Sequence, residues 1–150
     1  MTLGSVTIGL ALTARLTIGA TPVATSNDPF DAGPLSDFGE GIADTFAFNA
    51  PNLFVVRTKD RLFVSSSFCT HKRCVVERTG AGYSCTCHRC RYTPEGVPLR
   101  GPATRALPRY RVWIDARQHV MVDLSKVFEQ DAWEADGAFV KVIGNDKVKG

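Results

Sequence analysis

Charge is nearly absent from the first 27 residues of this 150-residue chain, which carry only Arg15. The apolar runs there, Leu3–Ala14 and Leu16–Ala20, are short, and a membrane-spanning helix needs about 20 apolar residues. The segment reaches that length only by including Arg15, at a cost of roughly 2.5–3.5 kcal/mol near mid-membrane. It also lacks the basic residues that precede the apolar stretch of a signal peptide. The chain has no internal repeat and no low-complexity run. Its basic residues form no long stripe and carry no interleaved aromatics, which argues against nucleic-acid binding. Histidine and cysteine are scarce and confined. Of three histidines and five cysteines, all but His119 lie within Cys69–Cys90.

Those residues form two boxes. Cys69-Thr70-His71 is completed by Cys74, and after the ten residues Val75–Ser84 comes Cys85-Thr86-Cys87-His88. Each box offers one Cys and one His at ligand spacing, with a second Cys left over. Structural zinc is the nearest rival for such a set, but zinc boxes more often use C-x₂₋₄-C and H-x₃₋₅-H spacing. A scaffold of disulfides alone would leave one of five cysteines over and give the histidines no reason to be there. Two thiolates with two neutral imidazoles hold less negative charge than four thiolates, so a reduced iron cluster costs less. Such centres span about −150 to +300 mV, against roughly −400 mV for a plant-type all-cysteine cluster.

The pattern C-x-H-x-x-C, a spacer, C-x-C-H and then Gly101-Pro102-Ala103 resembles the Rieske iron–sulfur proteins over roughly Asp31 to Val142. The resemblance implies a [2Fe-2S] cluster, with Cys69 and Cys85 on the inner iron and His71 and His88 on the outer. It implies a Cys74–Cys87 disulfide, as in the respiratory branch, and a Tyr92 hydroxyl aimed at a ligand sulfur. Gly101 and Pro102 match the family's Gly-Pro-Ala proline loop, beside the ligands. Many members carry one N-terminal anchor helix, so residues 1–27 are read as an extension or weak membrane anchor. A strand or a disordered arm is the alternative. Residues 28–150 are read as the Rieske domain.

The remaining sequence fits an all-β fold: an antiparallel β-sandwich, a small cluster-binding subdomain and a short C-terminal helix. Thr21–Gly41 is rich in Pro, Gly, Ser and Asp and reads as linker and turns. Leu53–Thr58 and Arg61–Ser67 flank Lys59-Asp60 and predict a β-hairpin, although Lys-Asp is not a favoured turn pair. Val75–Glu77 and Tyr83-Ser84 around Gly80–Gly82 predict a second, leading into Cys85. Tyr110–Asp115 and Val120–Asp123 predict strands, with His119 in the turn before the second. Leu124, Val127, Phe128 and Ala132 recur at helical spacing and predict an amphipathic helix within Asp123–Gly137. Trp133 reads as a packing residue, and Phe139–Ile143 as a last strand or tail.

Three departures from the family pattern stand out. Where high-potential members have Gly-Ser after the second ligand His, this chain has Arg89-Cys90. A thiol is a weaker donor than a hydroxyl, which predicts a lower potential. Lys72-Arg73 put cations on a tip that quinol-oxidising members keep mostly apolar. The spacer between the boxes is short. The net charge is +3, and the chain without Lys72, Arg73, Arg89 and Arg91 carries −1. A loop disulfide would persist in an oxidising space. The expectation is therefore an extracytoplasmic electron-transfer subunit of a quinol-oxidising cytochrome bc-type or related complex, possessing a redox protein partner, with membrane association and quinol as further expectations. The alternative is a soluble Rieske ferredoxin serving an oxygenase or oxidase. At this length there is no room for the second, mononuclear-iron domain of a ring-hydroxylating oxygenase.

Overall fold

A computed structural model describes residues 28–45, 53–143 and 147–148. The N-terminal extension, read above as an anchor, strand or arm, lies outside them. Among the described residues no helix is long and apolar enough to cross a membrane. The strands are β1 (Phe30–Pro34), β2 (Gly41–Thr45), β3 (Leu53–Arg57), β4 (Arg61–Ser66), β5 (Glu77–Thr79), β6 (Gly82–Cys85), β7 (Cys90–Tyr92), β8 (Pro98–Arg100), β9 (Arg109–Ile114), β10 (His119–Phe128), β11 (Val140–Ile143) and β12 (Lys147–Val148). All pair antiparallel. They make a base sheet of β1–β4 and β9–β12 and a smaller cap sheet in the order β5-β6-β7-β8.

The β3–β4 hairpin organises both parts. Its turn works despite Lys59-Asp60 because Thr58 closes it: the Thr58 amide donates to the Arg61 carbonyl at 2.8 Å, and the Arg61 amide donates to Thr58 Oγ1 at 3.1 Å. Every residue of β3, and of β4 after Arg61, is buried. A strand covered on both faces reads as a continuous apolar run, not an alternation. The period of two still sorts the faces. Leu53, Val55, Leu62 and Val64 pack against Val112, Val120 and Val122 of β9 and β10 in the base core. Phe54, Val56 and Phe63 face the cap, packing with Val76, Tyr83, Tyr92, Leu107 and three cysteines. The edge of β4 away from β3 is shared: β11 pairs at Arg61 and Leu62, β9 at Val64 and Ser65. The sandwich expected from sequence is therefore present.

The C-terminal helix is not. β10 runs on to Phe128 through a bulge between Asp123 and Val127, followed by a single 3₁₀ turn at Gln130–Ala132. Asp123 is the physical reason. Its Oδ1 accepts from the Ser125 amide at 2.9 Å and from Ser125 Oγ at 2.6 Å, a local bond that competes with helix formation. The apolar spacing was also misleading, because Val127 remains 46% exposed while Phe128 is buried. Phe128 packs instead with Ala106, Trp133 and Ala138, so Trp133 is the packing residue expected. His119 begins β10 and places Nδ1 2.9 Å from Asp31 Oδ2 of β1.

Candidate metal centre

The first box occupies the loop from β4 to β5. This loop is closed on itself: the Cys69 amide donates to the Cys74 carbonyl, the Arg73 amide to the Cys69 carbonyl and the Val76 amide to the Ser67 carbonyl, each at 2.8 Å. The second box is the tip of the β6–β7 hairpin. Cys85 ends β6 opposite Cys90, which begins β7, and Thr86–Arg89 make the turn. Each box thus hangs from a strand end, where a rigid sheet fixes it. Gly101 brings a third loop against the second box. Its φ is +96°, and a Cβ there would stand 2.6 Å from Cys90 Cα, so both conformation and space require glycine. Pro102 beside it is exposed.

Cys69, Cys85 and Cys90 are buried free thiols in one cluster of packed side chains. Tyr92 OH stands 3.1 Å from Cys69 Sγ. Burial drives the Cys69 thiol up, but hydrogen bonds from Tyr92, the His71 backbone, Cys90 and Cys85 outweigh it and hold this thiol below its ordinary value. Burial pushes the Cys85 and Cys90 thiols up. Burial, then the hydrogen bond to Cys69, pushes the Tyr92 hydroxyl up to about 12, so it remains a donor. The His71 and His88 rings meet edge to face, with centroids 4.6 Å apart. Burial first, then the charges of His88 and Lys72, pushes His71 down. This favours the neutral imidazole that a metal requires.

Cys74 and Cys87 form a disulfide with Cα atoms 6.6 Å apart. Their sulfurs and Cys85 Sγ lie within 4.8 Å of one another. Disulfide sulfurs are not thiolates, so this trio is the covalent tie lying against the Cys85 thiol. The fit to a cluster rests on other atoms. His71 Nδ1 is buried without a hydrogen-bond partner, which is costly for a polar nitrogen unless something binds it. Cys69 and His71 line one hollow, the His71 and His88 rings are in contact, and Cys85 lies buried on the disulfide-tied second loop; two thiols and two imidazoles are a donor set that suits a [2Fe-2S] cluster.

Sequence reasoning overlooked Thr70. Its Oγ1 lies 3.1 Å from Tyr92 OH and donates to the Arg105 carbonyl at 2.7 Å, and its amide donates to Tyr92 OH at 3.2 Å. One threonine therefore orients the tyrosine and ties the first box to the third loop. Its place between Cys69 and His71 was the available signal. Arg109 was also overlooked. It is 4% exposed, with its guanidinium carbon 3.6 Å from the Phe63 ring centre and 4.0 Å from that of Trp133. Burial pushes its pKa down to about 10.

Fold and site together define a small β-protein whose two cysteine- and histidine-bearing loops are tied by the Cys74–Cys87 disulfide. The chain belongs to the Rieske family: the Rieske [2Fe-2S] domain matches residues 28–111. That domain binds a [2Fe-2S] cluster. Among curated proteins the chain is similar to the cytochrome b6-f complex iron-sulfur subunit of Chlorobaculum tepidum, 34% identical over 85 residues, covering 55% of this chain and 47% of that one. The subunit of the same name from Chlorobaculum thiosulfatiphilum is 31% identical over 90 residues, covering 59% and 50%. The chain therefore spans about half the length of these relatives. Among solved structures, the cyanobacterial plasma membrane Rieske protein PetC3 from Synechocystis PCC 6803 shares the fold. It has a TM-score of 0.51 and 23% identity, covering 63% of this chain and 98% of that one.

Proposed function

We propose that this chain is a one-electron carrier, the iron–sulfur subunit of a quinol-oxidising cytochrome bc-type or related redox complex. The observation that supports the proposal is the paired His71 and His88 rings on two disulfide-tied loops that also carry buried Cys69 and Cys85, with His71 Nδ1 left without a partner. Cys69 and Cys85 would hold one iron through Sγ, and His71 and His88 would hold the other through an imidazole nitrogen. When bound, the [2Fe-2S] cluster supplies one-electron chemistry at a potential that imidazole ligation raises. Tyr92 donates its hydroxyl hydrogen to Cys69 Sγ, and Cys90 places a weaker donor beside the same sulfur. The Cys74–Cys87 disulfide holds the two boxes together, and Gly101-Pro102 walls the second box. His88 is exposed, so its outer ring nitrogen can accept a hydrogen bond from quinol and then its proton.

The names of the curated relatives support a cytochrome complex as the setting, with a redox protein partner. The disulfide supports an oxidising, extracytoplasmic space. Residues 28–150 are the Rieske domain, and residues 1–27 an extension or weak membrane anchor. Iron and sulfide analysis with EPR of the reduced protein is the first test. Bound zinc without sulfide would sink the proposal. Reduction potential against pH is the second. A high potential that falls with rising pH near neutrality fits quinol oxidation, whereas a low, flat potential fits a ferredoxin serving an oxygenase or oxidase.

A further inference from the structure

Three segments surround the centre: 68–76, 86–92 and 99–105. Together they hold Lys72, Arg73, Arg89, Arg91, Arg100 and Arg105 and no acidic residue. All six cations are exposed, and among the described residues none has an ion-pair partner. Glu129 lines the same hollow as His71, Arg73 and Arg105 and pairs with neither arginine.

The fold accepts costs to keep this charge there. Arg73 and Arg89 both have φ +57°, a left-handed conformation uncommon outside Gly, Asn and Asp. They occupy similar places, each directly before a cysteine, Cys74 and Cys90. Glycine would sit at either without strain. Arg91 and Arg100 stand directly opposite each other on β7 and β8, and like charges so placed destabilise a sheet. Strained Arg89 thus follows the exposed His88 directly, strained Arg73 sits in the loop of His71, and the opposed pair adds positive charge on the exposed face of the cap sheet. Burying unpaired cations against an apolar surface is expensive, whereas opposing carboxylates would satisfy them.

We infer that this rim docks an acidic protein surface, that of a redox partner whose own centre is ringed by carboxylates, and orients His88 toward it. The inference rests on the electron-transfer reading and names its partner by charge. The electron would leave the reduced protein at the rim and reduce the partner's metal by one unit.

Two probe acceptors test it: an acidic plastocyanin, whose Cu(II) becomes Cu(I), and a basic mitochondrial cytochrome c, whose Fe(III) becomes Fe(II). Binding is measured by interferometry and electron transfer by stopped flow on the full chain, after its iron content and EPR signal are recorded. The association rate with plastocyanin should fall about tenfold or more as ionic strength rises from about 0.01 to 0.15 M. The rate with cytochrome c should stay flat or rise. The double variant Arg73→Gly/Arg89→Gly removes both charges and both strained backbones, so its melting temperature should not fall while association slows by a similar factor. Lys59→Glu changes net charge equally, at the turn about 20 Å away along β4, and should leave the rate within about twofold. If the glycine variant is destabilised, Arg91→Gln/Arg105→Gln carries the same test at ordinary backbone positions. A salt-independent rate with plastocyanin, or an equal loss from Lys59→Glu, overturns the inference while leaving the cluster intact. An iron-free chain that still binds plastocyanin through Arg73 and Arg89 supports the surface and overturns the electron-transfer reading.

Discussion

A single hydroxyl holds much of the centre's electronic setting. Tyr92 OH reaches Cys69 Sγ, the Thr70 amide and Thr70 Oγ1. A hydrogen bond to a ligand sulfur stabilises the reduced state by spreading its extra negative charge. If that bond is worth about 1 kcal/mol more on reduction, its loss lowers a one-electron potential by about 40 mV. Tyr92→Phe should therefore lower the potential by about that amount in protein-film voltammetry, with the iron content unchanged. Cys90→Ser should act oppositely. Its position is fully buried in the same cluster as Cys69, and a hydroxyl is the stronger donor. A rise of a few tens of millivolts is expected; no rise would show that Cys90 merely fills space.

At the level of elements, β1 is pinned to β10 by charge. Asp31 Oδ2 receives Arg117 Nη2 at 3.0 Å and lies 2.9 Å from His119 Nδ1. The hydrogen bond to His119, then the Gly33 amide and the nearby cations, hold the Asp31 carboxyl below its ordinary value of 3.8 against a smaller opposing desolvation. A carboxylate with a lowered folded-state pKa stabilises the protein above its unfolded value and loses that effect as pH falls through the folded value. Asp31→Asn should therefore cost under about 1 kcal/mol at neutral pH, since the pair is exposed. In thermal melts the gap between the two proteins should close below pH 3.8. The β3–β4 hairpin and both boxes were legible in the sequence because turn chemistry and ligand spacing are local. The end of β10 was not, because an Asx turn at Asp123 and the burial of Phe128 overrode a helical spacing. Arg109 was not either. Nothing local marks an arginine as buried, and its shelter comes from Phe63 and Trp133, distant in sequence.

The whole molecule divides its stability between two cores with different dependence on metal. The base core of Val112, Val120, Val122 and their β3–β4 partners contains no ligand candidate. The cap core includes Cys69, Cys85 and Cys90 among its own side chains. Metal binding energy is folding energy for the parts that supply ligands. Hydrogen exchange of cluster-free protein should thus keep slow amides in β9 and β10 and speed those in β6 and β7 by about tenfold or more. Uniform acceleration would mean one cooperative unit instead. The two-faced strand β4 adds an order of events. A one-residue slip would turn Phe63 into the base and Leu62 and Val64 toward the cap, moving Cys69 as well. The strand must therefore find its register before the first box can meet the second. For this chain, maturation has a sequence: the apo-protein's sheet is the template on which the donor atoms are assembled, and delivery of iron and sulfide is a finishing step.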